Sequence, residues 1–343
     1  MAELFIAKAP ALEDYWRGIV LFGRNVASYK FALAKSLLEL QPQAGTLVTL
    51  EELAPIYSRF IVEHIRNTDK QGTSPTSKFL TACKEYNNGD LTAAELSDRT
   101  VAYGFVNVID AFHIVGQGEI PKKFFIDERK TAKGIRMTEE FSTLSTREQY
   151  RNLPQEVEAR WKLVETAWKL GVGRNLLSVG YDENDEALFT VDRYKRRQSV
   201  TGSRPALNGY QKGKCFYCFC DLTIDNQANY TYPEVDHFFP HTLKQYGFKG
   251  YLDGVWNLVL ACRECNRGPA GKLANLPSLR LLERLYNRNE FLITSHHPLR
   301  ETLIQQTGPT EQDRRKFLNE FYQAALAMLI HEWEPCEKDR PYF

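Results

Sequence analysis

Apolar positions follow a helical period through the first half of the chain and gather into short, dense runs in the second. Tyr15, Trp16, Ile19, Val20, Phe22, Val26, Tyr29, Leu33 and Leu37 form the first helical series. Thr49 with Glu52, and Thr92 with Glu95, have the spacing of capping boxes and mark two further helix starts. The polar stretch from Asp69 to Ser77 reads as a loop, and the aromatic-rich stretch from Tyr103 to Val115 as core. Pro154 opens a helix to about Leu170 with Trp161, Val164, Ala167 and Trp168 facing inward. A hairpin is expected next, pairing Leu176–Gly180 with Ala187–Val191 around Glu183, Asn184 and Asp185.

Val235 to Phe239 and Asn257 to Ala261 read as two short strands, with a helix beginning just after Cys262. Ser278 caps a helix with Leu279, Leu282, Leu285 and Tyr286 on its apolar side. Pro309 and Thr310 open a final helix to about Trp333, with Asp313 at the capping-box position. The expected class is α+β, mainly α. Residues 1–150 form a helical domain, 151–200 a connecting helix and hairpin, and 201–343 a second domain ending in helices.

The 343 residues, 43% hydrophobic and 25% charged, fit a globular protein long enough for two domains. A net charge of +1 excludes a generally basic nucleic-acid coat. Basic residues are instead local. Arg193, Lys195, Arg196, Arg197, Arg204, Lys212 and Lys214 follow one another with no acidic residue among them. Such a run either tracks a phosphate backbone or is a solvated linker. No apolar run is long enough to span a membrane, and the first residues lack the pattern of a secretory leader. Unpaired thiols then point to a reducing cytoplasm. Nothing in the sequence marks an oligomer face.

Chemistry concentrates in the second half. Cys215 with Cys218, and Cys262 with Cys265, are two Cys-x-x-Cys pairs. Together they supply a tetrahedral four-sulfur site suited to structural Zn²⁺. Alternatives are a redox pair or two disulfides, but a redox centre needs only one such pair and nothing marks secretion. A plain zinc ribbon separates its pairs by about 15–20 residues. The insert here is much longer, and it carries Val235-Asp236-His237, Pro240 and His241.

These residues resemble the HNH endonucleases, within the ββα-metal (His-Me finger) nucleases. The likeness covers residues 204–277. It rests on the first cysteine pair, Val235-Asp236-His237 with Pro240, and Trp256-Asn257-Leu258-Val259-Leu260-Ala261-Cys262. The second cysteine pair, Asn266-Arg267-Gly268 and Lys272 complete it. The chain departs from the founding pattern at Asn266, where a histidine stands in the family. Gly268-Pro269-Ala270-Gly271 also delays Lys272. The resemblance implies a metal-dependent nuclease acting on DNA and leaving 5′-phosphates, with Asn257 holding the loop and orienting the base. Arg267, Lys272 and His241, with the basic run, are the candidate DNA contacts. Nucleases with an added helical half occur in bacterial restriction and anti-phage systems, where another protein often controls the cut.

The residue chemistry agrees with that expectation. Phosphodiester hydrolysis needs an activated water and stabilised charge on phosphate and leaving oxygen. His237 has the pKa of a usable base. Asp236 and the Asn266 side-chain oxygen are hard donors for Mg²⁺ or Mn²⁺. Helical residues advance by about 100° each, so Asn266 is expected to face away from Cys265 and the zinc. The backbone N–H groups of that helix start would favour an anion. Two other readings remain open: a non-catalytic zinc module that binds DNA or protein, and an RNA-cleaving enzyme.

Overall fold

The computed structural model describes residues 10–22, 27–72, 76–115, 118–169, 179–182, 184–191, 197–227, 230–247, 251–294 and 299–335. The chain divides into two compact units, Met1–Trp161 and Lys162–Phe343. It is mixed α and β, with helices predominating and only small sheets. Among the described residues no helix is long and apolar enough to cross a membrane.

In the first unit, α1 (Leu12–Arg17) runs into a π-helical turn at Gly18–Phe22, and α2 spans Tyr29–Leu40. The expected series is therefore broken into segments rather than continuous, and Val26 lies outside the described residues. Helices α3 (Leu50–Asn67), α4 (Lys78–Asn88) and α5 (Ala93–Tyr103) follow. Thr49 and Thr92 form the expected capping boxes. Each hydroxyl accepts the N3 backbone N–H, and the N3 glutamate accepts from the cap N–H.

The sequence reading missed a three-stranded antiparallel sheet. Its strands are β1 (Leu47–Thr49), β2 (Phe125–Glu128) and β3 (Gly134–Met137), in the order β1-β3-β2. A Cβ on Gly134 would come within 2.4 Å of the Val48 carbonyl, so the close approach of β1 requires glycine there. Within this unit the Trp16 ring packs on Phe112, Phe124 and Phe141 at centroid distances of 5.1–5.8 Å. Phe105, Val108, Ile109 and Phe112 are buried as expected, whereas Tyr103, Val106 and Ile114 are exposed.

Helix α6 (Leu153–Lys169) carries Glu156 into a buried ion pair with Arg17 at 2.8 Å. It also stacks Trp161 on His64, with ring centroids 3.5 Å apart. The division between the units falls inside this helix. Its expected inward residues Trp161, Val164, Ala167 and Trp168 are all buried.

The second unit begins with an antiparallel sheet of β4 (Gly180–Asp182), β5 (Ala187–Val191) and β6 (Arg197–Gly202). The first two strands are the expected hairpin, although Leu176 to Ser178 lie outside the described residues. Strand β6 was not expected, because its stretch reads as a basic run. Short helix α7 (Ser203–Asn208) leads to the first cysteine pair. Strands β7 (Glu234–His237) and β8 (Leu258–Ala261) pair antiparallel, and α8 (Arg263–Arg267) starts directly after Cys262.

Helices α9 (Leu279–Thr294), α10 (Arg300–Thr307) and α11 (Glu311–Met328) complete the unit. Helix α11 has the expected Thr310–Asp313 capping box but stops at Met328 rather than Trp333. Glu332–Trp333 instead pairs in parallel with Leu276–Pro277. Phe321 of α11 packs 4.8 Å from Phe239 and 4.9 Å from Trp256 by ring centroids, so this helix backs the loop that follows β7.

Buried His113 gives the first unit an acid sensitivity. Its Nε2 accepts the Phe124 N–H at 3.0 Å. Burial pushes its pKa down to about 4, with Lys123 nearby adding to the shift. A histidine held neutral when folded contributes fully above its unfolded pKa of about 6.5, and that contribution is lost as pH falls toward 4. Chemical denaturation at pH 7 and pH 4 should therefore show a stability loss of about 3 kcal/mol assignable to this group. In His113→Gln that part of the pH dependence should vanish.

Candidate functional site

The two cysteine pairs meet. All four sulfur atoms lie within 4.8 Å of one another, and the Cys218 and Cys262 Sγ atoms are 3.7 Å apart. Four sulfurs at about 2.3 Å from a tetrahedral Zn²⁺ are separated by about 3.8 Å, so the spacing fits that ion and is far from a disulfide. Backbone N–H groups point at the sulfurs, from Cys262 to Cys215 at 3.3 Å and from Cys265 to Cys262 at 3.4 Å. The cluster can therefore hold a structural metal such as Zn²⁺.

Helix α8 has only five residues, and its N-cap is the Cys262 sulfur. One of the N–H groups expected to favour an anion, that of Cys265, is directed at that sulfur.

Strand β7 carries Asp236 and His237 on opposite faces, as strand geometry requires. Both are nearly buried, at 8% and 9% exposure. The Asp236 carboxylate accepts the Tyr217 hydroxyl at 2.6 Å on one oxygen and the Lys272 ammonium at 3.0 Å on the other. Lys272 has no exposed surface. Two backbone hydrogen bonds fold its loop against α8, from Lys272 N–H to the Cys265 carbonyl and from Leu273 N–H to the Asn266 carbonyl. Gly271 permits this turn, because a Cβ there would meet the Glu264 carbonyl at 2.8 Å.

These contacts set the surroundings of several expected site residues. Lys272, expected as a DNA contact, is buried with its ammonium on Asp236. Asp236 has a monovalent cation where a hard metal ion was expected. Asn266 donates to Glu234 at 2.8 Å rather than meeting Asp236 across an ion. As arranged, Asp236 and Asn266 do not fit the donor set of Mg²⁺ or Mn²⁺.

Asn257 locks the loop after β7. Its Oδ1 accepts the Phe239 N–H at 2.8 Å, and its amide donates to the Phe239 and Leu252 carbonyls at 3.1 and 2.8 Å. Pro240 then caps a 3₁₀ turn at His241–Tyr246. This folds the His241 ring over the His237 ring, with centroids 3.8 Å apart. His237 Nε2 lies 3.5 Å from Asp253 Oδ1 and has no hydrogen-bond partner, while His241 Nε2 lies 2.5 Å from the same oxygen. Burial pushes the His237 pKa down to about 3, His241 adds to this, and Asp253 opposes it. Neither Asp253 nor Tyr217 was singled out from sequence. The acidic residue before a glycine at Asp253-Gly254 was the one available signal.

The remaining candidate DNA contacts are dispersed. Arg196 lies outside the described residues, as does the side chain of Arg197 at the start of β6. Lys214 pairs with Asp221 at 2.6 Å, and Arg267, largely exposed, pairs with Glu234 at 2.5 Å. Lys212 is half-buried in a left-handed turn. His241 belongs to the histidine cluster.

Helix α9 supplies residues that sequence reading passed over. Arg284 donates to the Phe216 and Tyr217 carbonyls at 2.6 and 2.9 Å. Arg288 donates to the Leu258 carbonyl and, at 3.1 Å, to that of Trp256. These buried guanidiniums hold the first cysteine pair and the start of β8 against one helix. Compared with protein-family models, curated proteins and solved structures, the chain has no match.

Cys262→Ser should remove about one equivalent of bound zinc per chain, measured by elemental analysis, and a strong chelator should melt the second unit of the wild type. Lys272→Met should cost on the order of 3–5 kcal/mol in denaturant titrations, because it leaves the Asp236 carboxylate buried and uncompensated. The double variant with Asp236→Asn should recover much of that loss.

Proposed function

We propose that the second unit is a nuclease module of HNH type that hydrolyses DNA phosphodiester bonds. The observation that carries this reading is the Nε2 of His237, buried and without a hydrogen-bond partner. It stands at the end of β7, on the same four-cysteine-clamped frame of two strands and a short helix that bears the HNH-like residues. A neutral imidazole at that point can accept a proton from an attacking water, although a pKa pushed down to about 3 makes it a weaker base than the ordinary histidine expected from the sequence. Asn257 fixes the backbone just beyond it, and Phe321 with Trp256 backs the loop, so the nitrogen has little freedom to wander.

A divalent cation, when bound, would stabilise charge on the phosphate and leaving oxygen. The ligands expected for it are engaged by Lys272, Tyr217 and Glu234. That same ion pair favours the second reading, a zinc module that binds DNA without cutting it.

Plasmid nicking in Mg²⁺ or Mn²⁺ separates the two. The nuclease reading expects His237→Ala to lose roughly 100-fold or more of the rate. Equal cutting by wild type and variant would remove His237 from the chemistry. No cutting by either, with any metal and with DNA retained on the protein, would favour the binding module. Parallel labelled DNA and RNA substrates identify the nucleic acid cleaved.

A further inference from the structure

The histidine cluster has a composition that hydrogen bonding alone does not explain. Two imidazole Nε2 atoms from one turn of chain aim at a single carboxylate oxygen, and the ligand atoms of His237, His241 and Asp253 all lie within 4.8 Å of one another. One proton between Asp253 and His241 accounts for one of the two approaches. The other leaves His237 Nε2 buried, 3.5 Å from Asp253 and without a hydrogen bond. A buried ring nitrogen left without any hydrogen bond is costly. Convergence of two imidazoles and one carboxylate is the donor set that Zn²⁺ and similar transition ions take, with room left for a further ligand. It is a poor set for Mg²⁺, which demands oxygen.

The backbone that presents these groups is fixed before any ion arrives. Asn257 ties the loop between His237 and His241 on one side and the Leu252 carbonyl, next to Asp253, on the other. Access is available too. His241 and Asp253 are each about a third exposed, and the Lys244 ammonium, bound to the second Asp253 oxygen at 2.9 Å, sits on a half-exposed side chain.

We infer that His237, His241 and Asp253 form a second metal site for a divalent transition ion, with Zn²⁺ as the representative, distinct from the four-cysteine cluster. Occupancy has a consequence that rests on the nuclease reading above. The His237 lone pair that would accept a proton from water is the one that binds the ion, so filling this site silences the base.

The binding claim is tested without activity. Full-length protein is dialysed against a graded series of free Zn²⁺ and the bound metal is counted, with circular dichroism confirming the fold. Wild type should bind a second equivalent beyond that of the cysteines. Asp253→Asn and His241→Gln should bind one, and both should remain folded. A single equivalent in the wild type, or two in both variants, overturns the site. If a variant unfolds, wild-type protein loaded with Co²⁺ decides. A second equivalent with visible bands but no sulfur charge-transfer band supports the site, and absence of such bands overturns it.

The regulatory clause is read from nicking in Mg²⁺ with added Zn²⁺. The rate should fall as the second equivalent binds, with the same midpoint as in dialysis. An unchanged or rising rate overturns that clause. Absence of nicking under all conditions defeats the nuclease reading, and the regulatory clause falls with it, while the metal count still decides the site.

Discussion

Closure of the chain between Cys215–Cys218 and Cys262–Cys265 is the constraint on which the second unit rests. The elements between and beside the pairs are too small to persist alone. Strands β7 and β8 have four residues each, and α8 has five. An isolated two-stranded ribbon is marginal in water, and a helix of one turn lies below the length at which nucleation is recovered. A four-thiolate metal site can contribute on the order of 10 kcal/mol to a small module. The clamp thus does more than staple a loop. It sets where β8 begins its turn into α8 and, through the β7–β8 register, where His237 stands opposite Leu258.

Around that clamp the unit is assembled with buried polar groups as well as hydrocarbon. Arg284 and Arg288 lie one helical turn apart on α9 and satisfy carbonyls of the first cysteine pair and of the segment entering β8. Burial lowers their pKa values, to about 10 and about 9 respectively, which leaves both charged at neutral pH. Asp236, Tyr217 and Lys272 form a second buried set. Such groups add little net stability but penalise any rearrangement that separates them, so they favour one arrangement of the frame. The two faces of one strand are therefore unlike, with a sealed ion pair on one and a buried imidazole lacking a hydrogen bond at Nε2 on the other.

Much of this was legible in the sequence where the signal is local. Capping boxes at Thr49, Thr92 and Thr310 depend on residues three apart, and each formed. The cysteine pairs announced themselves by spacing, and Asn257 through the motif that resembles the HNH endonucleases. What escaped was set by distant partners. Strands β1 and β3 are three and four residues long and pair across more than eighty positions, so no periodicity betrays them. Strand β6 hides in a basic run because β5 supplies its hydrogen bonds. The buried partner of Lys272, Asp236, stands 36 positions away and carries no signal in the sequence around the lysine. Asp253 carries no pattern of its own and gains meaning only when a turn sets it against two histidines.

One small contact bears on how the protein avoids unwanted company. Gln211 is fully buried, and its amide behaves like a stretch of backbone. Its oxygen takes the Leu260 N–H at 2.7 Å and its nitrogen donates to the Leu260 carbonyl at 2.9 Å. Beside it, the Phe216 N–H reaches that same carbonyl. The outer rim of β8 is thereby shut by a side chain standing in for a third strand. A stray extended peptide, or another copy of the ribbon, finds no vacant ladder at Leu260 to extend, and the apolar sequence Leu258–Ala261 is kept from seeding aggregates.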